Sequence, residues 1–418
     1  MTEAQTALRL AALAYHEHPT PGKTATAITK PTATAQDLAL AYSPGVAEPV
    51  RAIAANPADA YRYTNKGNLV AVISDGSAIL GLGNLGALAS KPVMEGKALL
   101  FKQFANIDAV DLEVETQNPA EFIDTVRRLG ASFGGINLED ISAPRCFEIE
   151  QALIEAMDIP VFHDDQHGTA IIIAAGLVNA LHIQGKKLEE IRLVLVGAGA
   201  AGTATLRLLL DMGLNRAQLR VVDKVGVLHT GLTDLPAHHA AVAADTTDRT
   251  LADALLGADV FIGLSAPNLL TAEMLASMAP RPVVFALANP DPEISPLLAH
   301  SVRDDLIMAT GRSDYPNQVN NVLAFPFIFR GTLDCRARRI TPNMKIACVT
   351  ALAALAREPV PEAVCAAYGV GALEFGRQYI LPKPFDARLI ERLPRAVAEA
   401  AARDGVARTA YQPYPQPS

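Results

Sequence analysis

Apolar and polar positions change period several times along the chain. Between Leu38 and about Pro160, short apolar runs alternate with 3.6-residue patterns. This predicts strands at Leu69–Ser74, Ala109–Glu115 and Phe133–Leu138, and helices at Val93–Phe104, Pro119–Leu129 and Arg145–Met157. A short strand at Val161–Phe162 feeds His163–Thr169, and a long helix follows through Leu181. The second half predicts a strand at Ile191–Val196, a helix at about Ala200–Met212, and strands at Leu219–Asp223, Val260–Leu264, Val283–Ala288 and Leu306–Ala309. Strands this apolar belong to a parallel sheet covered on both faces. The fold class expected is α/β. An N-terminal α/β domain covers residues 1–160. A Rossmann-type, doubly wound parallel-sheet domain with C-terminal helices covers 161–410, and a proline-rich tail over 411–418 is expected to be disordered.

The ends and the composition narrow the setting. Ala7–Tyr15 contains Arg9, has no basic region before it, and is followed by His16, Glu17, His18 and Pro19, which reads as a short amphipathic helix and not a leader. Pro19–Ala35, rich in Thr, Ala and Pro, is an extended arm. The longest apolar run, Ala170–Ile183, is interrupted by Gly176, Asn179 and His182 and falls short of the roughly 18 residues of a membrane span, so no membrane partner is expected. With 44 acidic against 36 basic side chains the net charge is −8, which disfavours nucleic acid. Four cysteines, Cys146, Cys335, Cys348 and Cys365, are far apart and never form C-x-x-C, as expected of a reducing, cytoplasmic compartment.

Two stretches fit G-x-G-x-x-G. Gly197, Gly199 and Gly202, with Ala198, Ala200 and Ala201 between them, follow a strand, open a helix and precede Asp223 at the end of the next strand. That context predicts a dinucleotide site, with the pyrophosphate on the helix N-terminus. Asp223 suits the ribose hydroxyls of NAD, whereas Lys224 suits the 2′-phosphate of NADP, so the choice stays open. Gly81, Gly83 and Gly86 follow the turn Asp75-Gly76 and read either as a loop lining a cleft or as a structural turn.

Acidic residues gather after two strands: Glu139 and Asp140, then Asp164 and Asp165. If the strands are parallel, the carboxylates share one sheet edge, where a hard cation such as Mg²⁺ or Mn²⁺ would neutralise them; alternatively Asp164 or Asp165 caps the helix beyond Gly168. His163 and His167 lie four apart but lack the helix and glutamate of the zinc-protease pattern, and read as ordinary polar histidines. Lys97, placed near the positive end of its predicted helix, is either a general base of lowered pKa or a surface lysine. Tyr42, on a proline-fixed turn, is either an acid or a packing residue. Asn289 ends a strand where a nicotinamide would lie. Asn320 and Asn321 either bind a carboxylate or cap a helix.

Together AYSPGVAEP (41–49), SDGSAILGLGNLG (74–86), KPVMEGKALLFK (91–102), NLEDI (137–141), FHDDQHGTA (162–170), VGAGAAG (196–202), ALANP (286–290) and NQVNNVLAFPFIFRG (317–331) resemble the malic enzyme family, in its short bacterial form. The resemblance implies oxidative decarboxylation of L-malate to pyruvate and CO₂ with NAD or NADP, a divalent Mg²⁺ or Mn²⁺, and a homodimer or larger homo-oligomer. It implies Lys97 as general base, Tyr42 as general acid, Glu139, Asp140 and Asp165 as metal ligands, and Asp164 as a tuning carboxylate beside them. Asn289 and Asn321 match asparagines near substrate and nicotinamide. Where larger members carry an arginine for a substrate carboxylate, this chain has Ala78; Ser77, the glycine-loop amides or a second subunit would then serve.

Overall fold

A computed structural model describes residues 3–79 and 81–415. Two parallel sheets organise it. The first holds β1 (Leu69–Ser74), β2 (Asp108–Glu113), β3 (Gly135–Leu138) and β4 (Val161–His163) in the order β2-β1-β3-β4. The second holds β5 (Leu193–Val196), β6 (Leu219–Asp223), β7 (Gly226–Val227), β8 (Val260–Gly263), β9 (Val283–Ala286) and β10 (Ile307–Thr310) in the order β10-β9-β8-β5-β6-β7. Only β7 runs antiparallel, as a hairpin on β6 at the sheet edge. The strand reversal on either side of β5 is the switch point at which doubly wound sheets bind ligands. Because β4 pairs with β3, the first sheet continues past residue 160, the boundary expected from the sequence.

The helix Asp164–Gln184 joins the two halves. It starts at Asp164, directly after β4, so Asp164 and Asp165 occupy its first turn instead of capping a later one, and His163 holds the cap position. Its 21 residues would suffice for a membrane span by length and composition, yet most of the helix is buried within the protein, as in a core helix. Beside it, Phe101, Phe162, Phe325 and Phe329 meet edge to face at centroid distances of 4.8, 5.2 and 5.7 Å, an arrangement aromatic quadrupoles favour. This cluster ties the helices Ala87–Ala105 and Phe325–Asp334 to the first sheet.

The expected N-terminal helix is present, whereas the C-terminal segment departs from expectation. From residue 6 to 67 no residue is buried, and the helix Glu3–Glu17 leaves Leu8, Leu10, Leu13 and Tyr15 in solvent. Tyr411–Pro415, expected to be disordered, has no regular structure but is docked: Arg330 lies 4.6 Å from the Tyr414 ring centroid, and Asn106 donates to the Pro415 carbonyl at 2.9 Å. Aromatic and carbonyl partners anchor this stretch despite its prolines; the last three residues of the expected tail lie outside the described residues.

Candidate active site

Parallel pairing places the ends of β1, β3 and β4 on one edge of the first sheet, with Ile73 opposite Leu138 and Leu138 opposite His163. Glu139 and Asp140 leave β3 there, and Asp164 and Asp165 leave β4. One ligand oxygen from each of Glu139, Asp140 and Asp165 lies within 4.8 Å of the other two. Asp140 adopts φ +52°, a left-handed backbone uncommon for a non-glycine residue. Its amide donates to Asp165 Oδ2 at 2.7 Å, and Asn137 Nδ2 donates to Glu139 Oε2 at 2.9 Å, so hydrogen bonds orient the carboxylates. An all-oxygen set converging on one point fits a hard divalent cation such as Mg²⁺ or Mn²⁺. Burial pushes the Glu139 carboxyl well above its ordinary range; neighbouring Asp165, Asp164 and Asp140 add to this and Lys97 opposes it.

Lys97 lies mid-helix, not at a helix start. The helix runs Ala87–Ala105 straight through Pro92, so the positive end is ten residues away. The Nζ stands 2.7 Å from Asp164 Oδ2 and 2.9 Å from Glu139 Oε1, and 4.3 Å from the Phe325 ring centroid. Burial works against its ammonium, but in the metal-free protein Asp164 and Glu139 outweigh burial and raise the pKa, whereas the lowered value expected from the sequence is for a lysine next to a metal. Asp164 also accepts from Asn321 Nδ2 at 3.2 Å, while Thr169 Oγ1 donates to Asn321 Oδ1 at 3.1 Å. Thr169 and Phe325 gave no chemical signal in the sequence, since one is a hydroxyl inside a helix and the other one apolar residue among many.

The glycine turn after β5 has the expected build. Gly197 takes φ +100°, and a β-carbon at Gly202 would lie 2.0 Å from the Gly197 carbonyl oxygen, so only glycine lets helix and turn pack this closely. Nothing approaches within 4 Å of the corresponding position at Gly199, which leaves that face open to a phosphate. Asp223 Oδ2 accepts from the Ala198 amide at 2.9 Å and Oδ1 from the Lys224 amide at 2.7 Å, so its carboxylate braces the turn.

A cleft of about 700 Å³ unites the two halves, lined by Lys97, Glu139, Asp140 and Asp165 on one side and by Ala200, Ala201, Asn289, Asn320 and Asn321 on the other. Gly81 and Ala78 also line it, in line with the cleft reading of the first glycine loop. Three expectations fare differently. Ser77 is buried, with its Oγ donating to Asp75 Oδ1 at 2.5 Å and accepting from the Ser142 amide at 2.9 Å, so this hydroxyl serves the loop and does not line the cleft. Asn320 Oδ1 caps the short helix Asn321–Leu323 by accepting from the Val322 amide at 3.1 Å. Tyr42 is 76% exposed and does not line the cleft. His167 is committed elsewhere, at 2.9 Å from Glu150 and 3.2 Å from Lys345 Nζ. Glu150, which the sequence reading missed because it is one glutamate of an amphipathic helix, also accepts from the His163 amide at 2.9 Å and from Gln166 Nε2 at 3.1 Å.

Comparison with known proteins accounts for this combination. Residues 21–121 match the malic enzyme N-terminal domain model, and 166–365 the malic enzyme NAD binding domain model. The chain is 63% identical to the NADP-dependent malic enzyme of Halomonas elongata, covering 99% of this chain and 97% of that protein. The chain belongs to the malic enzyme family. It is an NAD(P)-dependent member by its nucleotide-binding domain. The NADP-dependent malic enzyme of Rhizobium meliloti is 61% identical, and there the chain spans only 52% of the relative's length. The crystal structure of malic enzyme from Pyrococcus horikoshii Ot3 superposes with TM-score 0.89 at 46% identity, covering 96% of this chain and 92% of that one. Between the two matched segments lie Glu139, Asp140 and Asp165, so the acid cluster rests on the geometry alone.

Proposed function

We propose that the protein oxidatively decarboxylates L-malate to pyruvate and CO₂ while reducing NAD(P)⁺, with a divalent cation as cofactor. The convergence of Glu139, Asp140 and Asp165 beside Lys97, across one cleft from the dinucleotide turn, carries this reading. Those carboxylates would hold Mg²⁺ or Mn²⁺, which supplies Lewis acidity toward the oxygens at malate C1 and C2. Lys97 accepts the C2 hydroxyl proton at Nζ once it has given up the one it holds, and Asp164 Oδ2, 2.7 Å away, is placed to take that proton. Bound NAD(P)⁺ would supply the acceptor for the C2 hydride, and Asn289, which lines the cleft, would face it. Loss of CO₂ leaves an enolate that needs a proton at C3. Tyr42 is the acid in this reading and reaches the cleft from a second copy of the chain, whose exposed Leu38, Leu40, Val46 and Val50 would be covered in a homodimer.

The test is NAD(P)H formation from L-malate with Mn²⁺, run with each coenzyme, with and without EDTA. Turnover abolished by EDTA supports the proposal. Turnover indifferent to EDTA points to a metal-free hydroxy-acid dehydrogenase, and coenzyme binding without turnover to a redox-sensing module. Sedimentation as a monomer would remove Tyr42 from the reaction.

A further inference from the structure

A second cavity, of about 730 Å³, opens on the opposite edge of the first sheet. Its walls come from the segments entering the strands: Lys66 before β1, Gly130 and Ala131 before β3, and Ala156–Ile159 before β4. Arg336 and Arg408, which follow the helices Phe325–Asp334 and Arg388–Arg403, complete it. In a chain of net charge −8, this cavity gathers Lys66, Arg127, Arg336 and Arg408 against one lining carboxylate, Asp158.

The four cations are not equivalent. Arg408 is bonded to Asp158, whose side chain is 81% exposed. Arg127 pairs with Asp124 at 2.7 Å. Lys66 Nζ donates to the carbonyls of Gly130, Ala131 and Phe133 at 3.0, 2.9 and 2.6 Å, which satisfies its hydrogens and leaves its charge uncompensated. Arg336 differs again: its guanidinium lies 4.9 Å from the Tyr61 ring centroid, and no carboxylate among the described residues comes within ion-pair distance. Its backbone holds φ +47°, a strained conformation for arginine, next to the helix end.

A guanidinium stacked on one face keeps its N–H fork free for a planar or tetrahedral oxyanion. Several cations around one carboxylate favour a multiply charged anion over a single carboxylate. The volume far exceeds an inorganic ion, and Pro57, Ala58, Ala131, Met157 and Ile159 offer it an apolar wall. We propose that this cavity binds an organic phosphate, its phosphoryl oxygens on Arg336 and Arg408 and its organic part against Met157 and Ile159. The site is separate from the catalytic cleft and does not depend on which substrate that cleft turns over.

The test is isothermal titration of the full chain with phenyl phosphate and with inorganic phosphate. Phenyl phosphate should bind at least tenfold more tightly than inorganic phosphate, and Arg336→Asn should weaken it at least tenfold. Asparagine tolerates the left-handed backbone, so this variant keeps the fold, which an unchanged melting temperature verifies. Arg408→Ala should weaken binding in the same direction. No binding, equal binding of the two probes, or wild-type affinity in Arg336→Asn would overturn the proposal, whatever the outcome of the malate assay.

Discussion

The two edges of the first sheet are built from the same four strands yet differ in nearly every chemical respect. At the carboxyl edge the chain concentrates acids: Glu139, Asp140, Asp164 and Asp165, and further out Glu113, whose carboxyl is pushed up to about 7 by burial and by neighbouring Asp111. At the amino edge it concentrates bases, of which Arg127, Arg330 and Arg408 have carboxylate partners while Lys66 and Arg336 have none among the described residues. Arg330, only 2% exposed, is bonded to Asp334 at 2.7 Å and to Asn68 Oδ1 at 2.6 Å, and Asn68 in turn reaches Asp108 at 3.1 Å at the start of β2. One edge holds like charges together with Lys97 as the main counterweight; at the other, the buried Arg330–Asp334 pair holds helix to sheet. The lesson is that like charges held close mark chemistry, whereas a satisfied ion pair marks architecture.

Mutations at the two edges should therefore fail in different ways. Lys97→Ala should lower kcat by roughly 10² to 10⁴ with NAD(P)H affinity unchanged in a fluorescence titration; near wild-type turnover would place the base elsewhere. At the opposite edge, Arg330→Met leaves Asp334 buried without its partner and should cost about 3–5 kcal/mol of stability in denaturant unfolding, with the kcat of the protein that stays folded preserved. A kcat collapse without loss of stability would erase the distinction between the edges. The smallest effect is the sharpest: Asp165→Asn should raise the Mn²⁺ concentration needed for half-maximal binding, yet make the metal-free protein more stable by on the order of 1 kcal/mol, because one repelling charge is gone. Destabilisation of the metal-free form would mean that Asp165 is held by its bond from the Asp140 amide and not strained by its neighbours.

Legibility in the sequence followed how local each signal is. The glycine turn was readable because strand, turn, helix and Asp223 lie within about thirty residues and obey one geometry. The acid cluster was readable as two groups after two strands; their meeting depends on β3 lying beside β4, a pairing the sequence suggests without specifying. Lys97 was misplaced along its helix because Gly96 just before it reads as a helix start. The helix instead runs through it from Ala87, with Lys23 Nζ donating to the Pro92 carbonyl at 2.6 Å from the arm. The ion pairs that raise its pKa in the metal-free protein were not legible, since those with Asp164 and Glu139 span 67 and 42 positions of sequence. Ser77 was misassigned because nothing local announces that Asp75 and the Ser142 amide use its hydroxyl.

The helix Phe325–Asp334 spans about 15 Å from end to end. Its first ring lies under Lys97, its middle arginine clamps the sheet, and Arg336 projects just past its far end into the basic cavity. A rigid rod cannot tilt at one tip alone. The basic cavity and the aromatic face against Lys97 thus share one support, and a substitution chosen to tune one tip must be judged by what it does at the other.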